Sequence, residues 1–207
     1  MKNVILFFLL CSFATLQAQS NGNFFQLHFG ETDAQPTQLS VDVYPFLFAA
    51  GGVGGSVTVE HDHWQLGLTG FGVAPPEFIL ETFFDLPESV TLPHNSAVEL
   101  VLNYYPNRAR RGIYFGVLGG PEWFTLRDAA TGAEEIIMKF YVVPRTGLRL
   151  FPFGDTFFVD TSIGYSFNLS GTDVRTLGES SYRTTNGGII YFMQVGARFS
   201  LECSGKK

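Results

Sequence analysis

Residues able to do chemistry fall into four groups, and their spacing decides how each is read. The largest is a set of charges lying on one parity of several alternating segments: Glu60, Glu99, Glu122 and Asp160 with Lys139, Arg145, Arg149 and Arg198. Four charges of each sign can pair, and pairing is what the burial of ions demands. Such a set suits either a salt-bridged plug or a gated path. His94, Ser96 and Glu99 hold the residue types of a nucleophile, a base and an orienting acid. Alternation places His94 and Ser96 on one face and Glu99 on the other, where its carboxylate cannot orient the imidazole.

His61-Asp62-His63 beside Glu60 has two imidazoles at strand spacing, but no third or fourth ligand accompanies them, so a polar turn is the expected reading. Gly51 to Ser56, GGVGGS, lacks the third glycine and the following helix of a phosphate loop. Its glycines are expected to thin a wall or let a strand bend. No cofactor, metal or catalytic set follows from these residues. The net charge of −6 argues against a nucleic-acid partner.

The elements that carry these groups are strands. Trp64, Leu66, Leu68 and Gly70 alternate with Gln65, Gly67 and Thr69. Val98, Leu100, Leu102 and Tyr104 alternate with Glu99, Val101, Asn103 and Tyr105. Met138, Phe140, Val142, Leu148 and Leu150 oppose Lys139, Tyr141, Arg145, Gly147 and Arg149. The same split continues through Phe157 to Asn168 and Ile189 to Phe199, and every charge lands on one face. In a soluble sandwich the polar face would meet water and carry many Lys and Glu. Here it is sparse, glycine-rich and aromatic, as in a narrow lumen filled by side chains. The opposite face is clean of charge, as hydrocarbon contact requires: Arg or Lys there costs about 2–4 kcal/mol near the midplane. Only 15% of residues are charged, while 22 Phe and 23 Gly are unusually many, which points the same way.

Connections alternate between short (His61 to His63, Asn107 to Arg111, Pro152 to Asp155) and long (Pro75 to Asn95, Asp128 to Glu135, Ser170 to Gly187). This is the turn pattern of a membrane barrel, short inside and long outside. Seven strands follow Gly52, and an even barrel needs one more upstream. Phe24 to Gly30 is preferred, followed by a long second strand; Leu39 to Phe48 also qualifies. Arg108, Arg110 and Arg111 are expected in a solvated hairpin, and Trp64, Trp123, Tyr104 and Tyr141 near strand ends as interfacial aromatics. Pro121 and Pro144 predict bulges or strand ends. Phe78, Phe83 and Phe84 make the long loop from Pro75 to Asn95 the best candidate contact site, exposed for strand addition or folded over the mouth. Ser170 to Gly187 reads as a polar, flexible loop.

Residues 1–18 have the order of a signal peptide: Lys2, an apolar run from Val4 to Ala14, and Ala18 before the cleavage point. Bulky Leu9 and Leu10 ahead of Cys11 disfavour a lipid anchor. Residues 19–207 then form one barrel domain, with Cys203 as its single cysteine and no internal disulfide. Nothing beyond Ala18 is apolar for long enough to form a transmembrane helix.

The stretches LNYYPNRARRGIYFGVLGGPEW, YVVPRTGLRLFPFGDTFFVDTSIGYSF and YFMQVGARFSL resemble the strand–turn–strand units of small outer-membrane barrels of the OmpA/OmpX type. The resemblance implies an all-β, closed, up-and-down transmembrane barrel of about eight strands in the outer membrane of a Gram-negative-type bacterium. Its partners would be outer-membrane lipids and, through a terminal strand ending near Phe199, the barrel-assembly machinery. The role implied is a non-enzymatic one in envelope structure or surface interaction. His94-x-Ser96 is similar to the motif of outer-membrane lipid A deacylases, which makes a lipid-modifying enzyme one alternative. A narrow channel and a lipocalin-like secreted ligand binder are the others.

Overall fold

The computed structural model describes residues 35–75 and 83–201. Eight strands form the wall: β1 (Gln38–Val43), β2 (Val53–His61), β3 (Trp64–Val73), β5 (Val90–Tyr104), β6 (Gly112–Asp128), β7 (Glu134–Phe153), β8 (Phe157–Tyr165) and β12 (Ile189–Ser200). All neighbours are antiparallel, in the order β6-β5-β3-β2-β1-β12-β8-β7, and pairing of β6 with β7 closes the ring. Closure leaves no free edge in the wall, the only way for a sheet to stand in hydrocarbon. The eighth strand is therefore Gln38–Val43, which pairs with both β2 and β12. The preferred segment, Phe24 to Gly30, lies outside the described residues. The other candidate, Leu39 to Phe48, contributes Leu39–Val43 to this strand, and Pro45–Ala49 at its end is the short helix α1, because Pro45 at its first turn starts a helix and donates no strand hydrogen bond.

Parity sets what faces where. Leu100, Phe140 and Ile163 are 63%, 44% and 41% exposed on the outside of the cylinder, whereas Glu99, Tyr141 and Ser162, their chain neighbours, are buried inside it. Gly147 faces inward, and a Cβ there would enter the ring of Tyr114, so the glycine makes room for the aromatic inside. Trp64 and Tyr104 pack together outside the short-turn end with ring centroids 5.0 Å apart. Tyr141 is not an interfacial aromatic; its parity turns it into the barrel.

Pro121 and Pro144 cause no bulge. The β6–β7 register runs unbroken past both, from Gly112↔Arg149 to Arg127↔Glu134. Each instead falls in a short gap in the ladder to the other neighbour: Pro121 between Ala97↔Glu122 and Leu100↔Gly119, Pro144 between Arg145↔Gly164 and Val142↔Phe167. The missing N–H is absorbed without changing register. The register shifts instead in β5 between Thr91 and His94, around Pro93, and in β7 between Leu150 and Phe153, around Pro152.

Strands β5, β6 and β7 have 15, 17 and 20 residues, well beyond the roughly 9–11 needed to cross a bilayer. One side of the barrel thus rises as a tall wall. Against its inner face lies a second sheet: β10 (Val174–Leu177) and β11 (Ser180–Thr184) form a hairpin, and β11 pairs with β4 (Phe84–Asp85). The segment read as a polar, flexible loop is thereby an ordered cap, and β9 (Phe167–Asn168) extends the β8 side of the wall toward it.

Candidate functional site

The interior holds the chemistry. Near the short-turn end, β2 brings Glu60 to the axis, where it is fully buried. Arg149 of β7 donates to it from Nη1 at 2.5 Å, Arg110 of the β5–β6 turn from Nε at 3.2 Å, and Arg198 of β12 stands at 3.8 Å. Ser40 Oγ and Gln65 Nε2 donate to the same carboxylate at 2.5 and 3.3 Å. Arg149 also pairs through Nε with Asp160 of β8 at 3.1 Å, and Tyr114 donates to Asp160 at 2.6 Å. The guanidinium of Arg149 lies 4.2 Å from the Phe158 ring centroid, and that of Arg198 lies 4.0 Å from Phe151. One carboxylate thus ties together β1, β2, β7, β12 and a turn across the lumen. Such a fully bonded ionic cluster stays rigid, because removing any partner strands a buried charge.

Arg110 was expected in solvent. It is instead fully buried, at φ +50°, and points into the barrel mouth. Besides Glu60 it donates to Gln38 Oε1 at 2.8 Å and to the carbonyls of Pro36 and Asp62 at 3.0 and 3.1 Å. Alternation says nothing about a residue in a turn, and three neighbouring arginines look alike in sequence. Arg108 and Arg111 stay at the rim and pair with Asp62 and Asp155.

Farther in, pairing of the other expected ions breaks down. Glu99 and Glu122 are buried inside the barrel, yet neither makes an ion pair among the described residues. Glu122 accepts from Asn95 Nδ2 at 2.7 Å. Arg145 donates to Asn103 Oδ1 at 3.3 Å and lies between the rings of Tyr114 and Phe192, each 5.6 Å away. Lys139 stands opposite Glu122 in the β6–β7 register, but its ammonium reaches toward the cap and pairs with Asp173 at 2.9 Å. The four-against-four pairing expected from sequence is thus replaced by one tight cluster around Glu60 and a separate link to the cap. Strand parity fixes which face a charge takes, whereas its height in the barrel depends on register.

The cap closes the opposite end. Phe83, Phe84, Val90, Leu92, Phe124, Leu126, Ile137, Tyr141, Leu177 and Tyr182 form one buried apolar cluster. Phe84 meets Phe124 edge-on at 4.8 Å and Phe83 meets Tyr141 at 5.1 Å. Phe83 and Phe84 are therefore core residues and offer no surface to a partner; Phe78 lies outside the described residues. In the cap, Asp173 is held below the usual carboxylate range by the hydrogen bond and charge of Lys139, with Arg175 adding to it. Asp128 is lowered by the Ala130 N–H and the Thr131 hydroxyl.

The other candidate groups come apart. His94 is exposed and Glu99 buried on the opposite side of the wall. His61 Nδ1 contacts Thr37 Oγ1 at 2.9 Å and His63 Nδ1 the Tyr105 carbonyl at 2.7 Å, so the two imidazoles serve different partners. Among the described residues no group of three or more His, Cys, Asp or Glu could hold a metal ion.

No family model matches the chain, and no curated protein matches it by sequence. Among solved structures it is similar to the N-terminal β-barrel domain of Pseudomonas aeruginosa OprF, at 13% identity and TM-score 0.42 over 80% of this chain and 98% of that one. It is also similar to Ail, the attachment invasion locus protein of Yersinia pestis, at 13% identity and TM-score 0.37 over 80% and 99% of the two chains. The barrel itself, closed, antiparallel and eight-stranded, is of the small kind that the OmpA/OmpX-like segments imply.

Proposed function

We propose that the chain is a non-enzymatic outer-membrane barrel, sealed along its axis, that serves envelope structure or surface interaction through its outer cap. The reading rests on one observation: the cylinder is apolar outside and ionic inside, the reverse of a water-soluble barrel that carries an apolar ligand. Hydrocarbon is the solvent in which that arrangement is stable, since the charges along the middle of the wall turn inward and its backbone groups pair in a closed ladder. The Glu60 cluster at one end and the aromatic cap at the other close the lumen, so passage of ions is not its task. Export by cleavage after Ala18 and insertion through the terminal strand, with Phe199 near its end, complete the proposal.

Two measurements test it together. Folded protein should be recovered with outer-membrane fractions and migrate differently on gels before and after boiling in detergent. In planar bilayers it should add no conductance to the bare membrane. Recovery as a soluble periplasmic protein, or stepwise channel currents, would overturn the reading.

A further inference from the structure

The β1–β2 connection differs from every other described connection at its end of the barrel. From Val43 to Val59 the chain has no Asp, Glu, Lys or Arg. The cap and the β6–β7 hairpin at the same end carry Arg127, Glu134, Arg175, Glu179 and Arg183. Within the connection, α1 turns Phe46 and Phe48 outward, 46% and 51% exposed. Leu47 points the other way, against Gly54, where a Cβ would collide with its side chain.

Much of the backbone of this connection pairs with itself. Tyr44 N–H donates to the Gly54 carbonyl at 3.0 Å, Leu47 N–H to Tyr44 at 3.1 Å, Ala50 N–H to Phe46 at 3.1 Å, and Gly52 N–H to Leu47 at 2.7 Å. Gly51 turns the chain at φ +76°. Such pairing lets the segment enter an apolar or interfacial medium without stranding these backbone groups. The exposed phenyl rings also continue the apolar belt: Val41, Val43, Val53 and Val57 below them are all exposed on the outer wall.

From these observations we infer that α1 dips into the outer leaflet, with Phe46 and Phe48 among the upper acyl-chain segments of its lipids, and so pins the low side of the barrel at a fixed depth. The inference rests on the membrane reading above. Phenyl rings exposed on an interfacial segment insert at the boundary of headgroups and chains. The tall, charged wall of β5 to β7 stands across the ring from α1, so the anchor also sets which side of the rim rises into water.

The test is depth-dependent quenching. Phe48→Trp is made in a Trp64→Phe, Trp123→Phe background, with Leu100→Trp as the belt control, and each protein is folded into phosphatidylcholine vesicles. The lipid is brominated either near the top or near the end of its acyl chains. Retained heat-modifiable gel mobility shows that each variant is folded. The expected result is several-fold stronger quenching of the Phe48→Trp emission by the shallow bromines than by the deep ones. Water-like, unquenched emission at position 48 with a quenched Leu100→Trp control would overturn the anchor and leave the barrel standing. Quenching at position 48 that appears only on dilution of protein in lipid would show a second copy seated there, and would overturn it too. An unquenched Leu100→Trp control would sink both readings.

Discussion

Glu60 is the residue on which the interior depends most, because three arginines converge on one carboxylate with no water-exposed route for any of the charges. Glu60→Ala leaves Arg149, Arg110 and Arg198 facing one another, and loss of one partner from a buried pair costs about 3–5 kcal/mol. The midpoint of unfolding in denaturant, followed by gel mobility, should fall accordingly, and more than for Arg108→Ala at the exposed rim. Asp173 behaves differently because it lies in the cap, away from the Glu60 cluster. Its folded pKa is depressed below the unfolded value of about 4, so its bond to Lys139 contributes stability above that pH and loses it as pH falls through the folded value. Hydrogen exchange of the β10–β11 amides should rise below about pH 4 while exchange in the wall stays slow. In Asp173→Asn, whose side chain does not titrate, the acid-induced rise should shrink. The eight interior charges were legible as one face because strands obey a period of two. Arg110 was not, since it sits in a turn, and neither was the separation of Lys139 from Glu122, since a lysine stem can leave its cross-strand partner for a better one.

Among the elements, the wall strands could be read because apolar and polar residues alternate over long stretches, and the short turns between them follow at once. The cap could not. Val174–Leu177 and Ser180–Thr184 are short and polar, with Leu177 and Tyr182 as their buried contributions, and they become strands only by pairing and by covering Phe84 and Phe124. Phe83 and Phe84 make the segment from Pro75 to Asn95 apolar for a loop, and their burial under this hairpin explains that composition. Phe84→Ala should remove edge-on packing with Phe124 and cost about 3–5 kcal/mol. The loss should show as faster exchange and proteolysis of the cap, with the gel mobility of the wall retained. Gly147→Leu tests the wall itself. The new side chain must displace Tyr114 from its seat beside Asp160, and overpacking of this kind costs about 1–3 kcal/mol. Its lower unfolding midpoint should be relieved in part by Tyr114→Phe or a smaller replacement.

At the scale of the whole molecule, the barrel has two surfaces of opposite character. Its outer surface is mostly aliphatic and aromatic, its inner space has ions and hydrogen-bonded amides, and eight strands leave just enough room for those side chains. A tall wall on one side, a low apolar rim on the other and a cap between them follow from strand lengths that the alternation alone did not bound. The most direct test is a scan of single spin-labelled cysteines from Val98 to Tyr104, in a Cys203→Ser background folded into lipid vesicles, reading accessibility to oxygen dissolved in the hydrocarbon. Oxygen contact should alternate, high at Val98, Leu100 and Leu102 and low at Glu99, Val101 and Asn103. High accessibility to a water-soluble relaxant at Leu100, or the absence of a period of two, would contradict the membrane-facing wall.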